Sequence, residues 1–246
     1  MTDNQTAQAA RAQAGTNLES VVARILNLLL NERSVYVVRG NLKELRRVLQ
    51  DDALARQIIE YSKLPVKRPC DQKQIEDYPD TDLFVIYRDA VKWRVLGIIS
   101  CKVSFHARHT EVAFWGLAIR TSSNMRYVCV TEDADIHAGK KSELGVSCSE
   151  SKATRRILES YTARVYLIKK YDSTEDPRLT QDVERFRQGM AEKRSAARLD
   201  RPDFDDPALP NHTQYCSSVC PLDELYFDIL RWRDEAIPNE VPTCRD

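Results

Sequence analysis

The sequence predicts an α/β protein with a mixed central β-sheet flanked by helices. Three features carry that reading. First, two apolar, β-prone runs, Leu83-Phe84-Val85-Ile86-Tyr87 and Leu96-Gly97-Ile98-Ile99-Ser100-Cys101, flank a polar turn around Arg88-Asp89-Ala90. Runs joined this closely form an antiparallel hairpin. Second, segments of helical period alternate with short β-branched runs after that hairpin, the pattern of strands linked by helices on the sheet faces. Third, the 246 residues are 42% hydrophobic and 30% charged, which is ordinary for a globular chain and ample for a core.

Thr16-Asn17-Leu18-Glu19 has a capping-box pattern, and Leu18, Val21, Val22, Ile25, Leu26 and Leu29 follow at helical spacing, so a helix is expected over 17–32. Ser34 to Val38 is short and β-branched and ends at Gly40. Asn41 then opens an amphipathic helix, and Asp51 or Asp52 caps a third that ends near Tyr61. Pro65, Pro69 and Pro79 punctuate what reads as a loop. The hairpin strands fall at 82–88 and 93–101. A helix follows at 106–120, a buried-type strand at 126–131, a polar loop at 132–149, a helix at 152–161 and a strand at 164–169. Residues 181–199 read as a charged helix with little apolar face, 201–210 as irregular, and 222–232 as a last amphipathic helix. The division expected is a flexible tail at 1–15, a core with its helical N-terminal part at 16–171, and a helical extension of the same domain at 172–246.

Lys plus Arg and Asp plus Glu are 37 each, so the net charge is zero. The charge is nevertheless segregated: residues 92–126 carry six basic residues against Glu111 alone, and 151–170 carry six against Glu159 alone. Local basic patches of this kind are what phosphate contacts need. The seven cysteines are scattered and odd in number, which fits reduced thiols better than a disulfide framework. The polar start lacks the basic-then-apolar order of a secretory signal, and no apolar run approaches the ~18 residues of a membrane span. A cytoplasmic protein with no membrane contact is expected.

The chemistry concentrates at the hairpin. The first strand is preceded by Pro79-Asp80-Thr81-Asp82, and the second ends in Ser100-Cys101-Lys102-Val103-Ser104. Side chains alternate along a strand, so Asp80 and Asp82 share a face, as do Ser100, Lys102 and Ser104. Antiparallel pairing brings the acidic start beside the lysine end. Carboxylates there can ligate Mg²⁺, and a lysine can orient a water or help deprotonate it. Each residue alone also has a structural reading, the aspartates as turn caps and the lysine as a solvated strand end.

Pro79-Asp80-x-Asp82, followed about twenty residues later by Ser100-x-Lys102, resembles the PD-(D/E)XK nuclease superfamily. The continuation Ser104-Phe105-His106-x-Arg108, then Thr110-Glu111-x-x-Phe114-Trp115, is similar to type II restriction endonucleases whose active strand reads S-x-K-x-S. The resemblance covers the middle of the chain. It implies a restriction-endonuclease-like core and Mg²⁺-dependent hydrolysis of double-stranded DNA at a specific short sequence. It also implies a homodimer cutting both strands, and a companion DNA methyltransferase. Ser100 stands where the motif usually has an acid, and Glu111 is the candidate for the displaced ligand. Asp82 directly precedes the strand and is preferred as metal ligand, with Asp80 as the alternative. A repair or structure-specific nuclease of the same fold, or a DNA-binding protein that has lost catalysis, are the competing readings.

Ser104, His106 and Arg108, just beyond the lysine, are candidate DNA contacts, although Arg108 can equally pair with Glu111 at i,i+3. Lys152, Arg155 and Arg156 at one helix start, and Lys169-Lys170, are candidates for the duplex backbone. The helices at 17–32 and 221–233 are candidate dimer elements. His212, Cys216, Cys220 and Cys244 contain zinc-type donors but lack paired-knuckle spacing, so buried thiols are the simpler reading. With seven glycines and no G-x-S-x-G run, neither a phosphate-binding loop nor a serine-hydrolase elbow is present.

Overall fold

The computed structural model describes residues 3–67, 70–71, 74–89, 92–105, 108–133, 142–145, 149–192 and 217–236. The elements run α1 (Asp3–Leu30), a 3₁₀ turn, β1 (Val35–Arg39), α2 (Leu42–Leu49), α3 (Asp52–Ser62), β2 (Leu64–Lys67), β3 (Gln74–Asp77), β4 (Leu83–Arg88) and β5 (Trp93–Lys102). They continue with α4 (His109–Ser122), β6 (Arg126–Thr131), α5 (Ala153–Tyr161), β7 (Val165–Leu167), α6 (Pro177–Glu192), β8 (Val219–Pro221) and α7 (Leu222–Ala236).

Six strands form the main sheet in the order β1-β4-β5-β6-β7-β8. β1–β4 and β4–β5 are antiparallel, and β5–β6, β6–β7 and β7–β8 are parallel. This is the mixed sheet expected, with the hairpin where the alternation placed it. Strand alternation splits the core into two layers. Leu83, Val85, Ile99 and Cys101 pack with Leu18, Val22, Ile25 and Leu26 of α1, Leu179, Val183 and Phe186 of α6, and Leu225 and Ile229 of α7. Phe84, Ile86, Ile98 and Tyr127 pack on the other face with Leu45 of α2, Ile58 of α3, Val112 and Ile119 of α4, and Leu158 of α5.

Several local readings change. α1 begins at Asp3, so the stretch expected as a tail up to residue 15 is helical from there. Thr16 does not cap it: its carbonyl accepts the Ser20 hydroxyl inside the helix, and Asn17 donates to the Tyr171 carbonyl at 2.8 Å. The caps expected at Asn41 and Asp51 are present, accepting from Glu44 N and Leu54 N. The run expected as a loop before Pro79 contains the antiparallel ribbon β2–β3. α6 has a real apolar face, because Leu179, Val183 and Phe186 recur at i, i+4 and i+7 and are each 1% exposed. The stripes of α1 and α7 pack into the core. The short β8 extends the sheet, and Cys220 is buried in it. Its proposed companions His212, Cys216 and Cys244 lie outside the described residues, as does the irregular stretch 201–210.

Candidate active site

The β4–β5 pairing places Leu83 opposite Ile99. Extending that register outward sets Asp82 across from Ser100 and Asp80 across from Lys102. The contacts follow this register. Lys102 Nζ lies 2.6 Å from Asp80 Oδ2 and 3.0 Å from Asp82 Oδ2. Asp82 Oδ2 also accepts the Cys101 backbone N–H at 2.6 Å and the Ser100 hydroxyl at 3.3 Å. Three donors thus fix Asp82, whereas Lys102 is the contact shown for the Asp80 carboxylate. Lys102 is only 6% exposed. Burial pulls its ammonium down, but the charges and hydrogen bonds of Asp82 and Asp80 outweigh that and hold it above the usual lysine range.

The turn that carries the two acids is held from several sides. Gly40 N donates to Asp82 O at 2.8 Å. The approach is close enough that a Cβ on Gly40 would sit 1.9 Å from Thr81 O, so no larger residue fits there. Thr81 Oγ1 donates to Pro79 O at 3.0 Å, and the Tyr127 hydroxyl donates to Asp80 O at 3.3 Å. Burial raises the Tyr127 phenol well above its usual range.

Glu111 is one turn into α4 and pairs with Arg108 at 3.1 Å. Partial burial pulls the Arg108 guanidinium down, but Glu111, Asp80 and Asp82 together outweigh it and raise it. Arg108 therefore feels both ends of the site. Yet among the described residues no three Asp, Glu, His or Cys side chains gather as a metal cage, so Glu111 is not brought into a ligand set with Asp80 and Asp82. Mg²⁺ does not need such a cage, since it commonly keeps its waters and binds through one or two carboxylates and substrate phosphate. The converging Asp80 and Asp82 carboxylates fit that requirement.

Two groups near the centre escaped the sequence. Glu19 of α1 is held by Arg39 at 2.5 Å. Burial raises the Glu19 carboxyl, Arg39 opposes this, and the charge of Asp82 adds to the rise. Tyr127 supports the centre from β6. Glu19 is sixty-odd positions from the motif and Tyr127 reads as a strand aromatic, so neither carried a signal of its own.

The expected DNA contacts fare unevenly. Arg108 is exposed beside the site. Ser104 is half-buried, with no partner for its hydroxyl among the described residues, and His106 lies outside them. Arg156 is exposed and bonds the Ser151 carbonyl. Lys152 donates to Ser142 O at 2.5 Å, which ties it to the loop after β6. Arg155 must be withdrawn as a backbone contact: it is 0% exposed and paired with Glu159 at 2.9 Å, and a fully enclosed guanidinium does not meet a phosphate. Lys169 is likewise committed, to buried Asp182 and over the Tyr171 ring, while Lys170 is exposed.

A family model described as BsaWI restriction endonuclease type 2 matches residues 55–190, more than half of the chain. The chain belongs to this family. The matched stretch of this restriction endonuclease includes Asp80, Asp82, Ser100, Lys102 and Glu111, while Glu19 precedes it. No curated protein matches the chain. One similar solved structure is a pre-specific BsaWI restriction endonuclease–DNA complex, 13% identical, covering 95% of this chain and 67% of that one, with a TM-score of 0.49. Another is a specific AgeI restriction endonuclease–DNA complex, 14% identical, covering 75% of this chain and 70% of that one, with a TM-score of 0.45. Among the described residues no helix is long and apolar enough to cross a membrane.

Proposed function

We propose that this type II restriction endonuclease hydrolyses both strands of double-stranded DNA at one short sequence with Mg²⁺, using the Asp80–Asp82–Lys102 cluster as its cleavage centre. The observation that carries the proposal is the convergence of both carboxylates on one buried lysine at the end of the hairpin. Asp80 and Asp82 would hold the ion, and Glu111, the candidate displaced ligand, would join them only by leaving Arg108. A bound divalent ion polarises the phosphoryl oxygen and makes water a stronger nucleophile. Lys102 orients the attacking water and balances the charge that builds on the phosphate. Ser100 and the Cys101 N–H keep Asp82 aimed at the same point. In-line attack of water at phosphorus leaves a 5′-phosphate and a 3′-hydroxyl.

Each chain has one such centre, and two strands must be cut. A homodimer acting on a palindromic target meets that requirement. A companion methyltransferase that protects the same sequence is the expected genetic partner, and a cytoplasmic location fits that task. The test is Lys102→Ala on long duplex DNA with Mg²⁺. Cleavage should vanish while binding in Ca²⁺ is kept, and a variant that cuts as fast as the parent would refute the assignment.

A further inference from the structure

The run from Tyr78 to Thr81 is outside any strand, so its carbonyls are not held by a sheet ladder. Something else has to fix where Asp80 points. β6 pairs with β5 in the register Ile98↔Tyr127 and Ser100↔Cys129. By strand alternation, Tyr127 shares a face with Ser100 and Lys102. Its side chain is almost wholly enclosed, at 2% exposure. A buried hydroxyl without partners would cost ~1–3 kcal/mol. Its partner is the Asp80 backbone carbonyl at 3.3 Å, across 47 residues of sequence. Ser100 Oγ reaches Asp82 Oδ2 at 3.3 Å. From one face of the sheet, Tyr127 thus holds the main chain of one acid while Ser100 holds the carboxylate of the other.

We propose that Tyr127 is a positioning residue for the cleavage centre: its hydroxyl braces the Asp80 main chain, so that the two carboxylates meet at Lys102 although a serine stands at the motif's acid position. This rests on the reading of Asp80, Asp82 and Lys102 as that centre. The contribution is geometric. Tyr127 touches no reacting atom, and the side-chain volume it supplies to the core survives in phenylalanine.

The experiment compares the full-length parent with Tyr127→Phe, Ser100→Ala and Lys102→Ala. Single-turnover cleavage is measured against Mg²⁺ concentration, and Ca²⁺ binding to the free protein by calorimetry. Small misplacement of reacting groups costs up to ~100-fold, so Tyr127→Phe is expected to cut about ten- to a hundredfold more slowly and to bind Ca²⁺ about tenfold more weakly. DNA affinity in Ca²⁺ and the melting temperature should stay close to the parent's. Ser100→Ala, which removes the hydroxyl that holds Asp82 on the same face, should show the same split and gives the reference for a displaced acid. Parent-like Ca²⁺ affinity and parent-like rates per folded molecule, with only a lowered melting temperature, would overturn the positioning role alone. Lys102→Ala cutting as fast as the parent would overturn the centre, and the positioning role with it.

Discussion

Replacing Lys102 with methionine separates the lysine's charge from its bulk. Methionine keeps an unbranched apolar stem in a position that is 6% exposed, and removes the ammonium that bridges Asp80 at 2.6 Å and Asp82 at 3.0 Å. Two carboxylates are then left facing each other without a cation. Removing one partner of a buried ion pair destabilises by ~3–5 kcal/mol. The acid side chains retain 23% and 15% exposure, which favours the lower end, about 3 kcal/mol. For a chain of this size each kcal/mol moves the melting temperature by ~2–4 °C, so a fall of about 6–12 °C is expected without divalent ions. A cation bound between the acids offsets the same repulsion. Ca²⁺ at ~100 times its dissociation constant adds ~2.7 kcal/mol, so it should restore most of the loss. Scanning calorimetry of parent and variant, with and without Ca²⁺, measures both shifts. A variant that melts with the parent in the absence of metal, or gains no more from Ca²⁺ than the parent does, would refute the bridging-cation argument.

The acids themselves should differ: Asp82 has three donors fixing it, so Asp82→Asn is expected to lose about tenfold more Mg²⁺-dependent rate than Asp80→Asn. Equal losses in single-turnover assays would refute that difference, a reversed order would make Asp80 the principal ligand, and an unaffected Glu111→Gln would remove Glu111 from the site. Gly40→Ala should abolish cleavage and lower the melting temperature, because its Cβ would displace Thr81 O from 1.9 Å and move both acids. Normal activity in that variant would mean the turn is not rigid. Burial raises the Glu132 carboxyl from 4.5 to about 7, with Lys170 opposing. Between those values the folded chain keeps a proton that the unfolded chain has lost, so this group's contribution makes stability fall as pH rises through the window, by about 3 kcal/mol in all. Glu132→Gln should therefore melt above the parent at pH ~8, with the gap shrinking towards pH ~5. A gap that does not change with pH would count against a protonated Glu132.

The hairpin and the two acids were legible because strand period and turn chemistry are local. Once Leu83 pairs with Ile99, Asp82 must meet Ser100 and Asp80 must meet Lys102, and no distant contact is needed to say so. What could not be read depends on distance along the chain. Glu19 reaches the centre only because α1 packs across the sheet and Arg39 ends the neighbouring edge strand. Arg155 looked like part of a basic helix start because charge alone does not reveal which face a helix with three charges buries. The Ala- and Gln-rich start of α1 read as a tail on polarity, though alanine and glutamine favour helix. β8 is three residues long and ends in a proline, too short for any period to show. In α6 the three core residues are separated by charged ones, so composition hid a regular stripe.

The most direct measurement is to incubate the purified protein with long duplex DNA of known sequence and Mg²⁺, then sequence the fragment ends. Discrete ends at every copy of one short sequence, with 5′-phosphates and with Lys102→Ala leaving the DNA intact, are the expected result. Ends scattered over the sequence, or no cleavage in either Mg²⁺ or Mn²⁺, would contradict a site-specific endonuclease built on Asp80, Asp82 and Lys102.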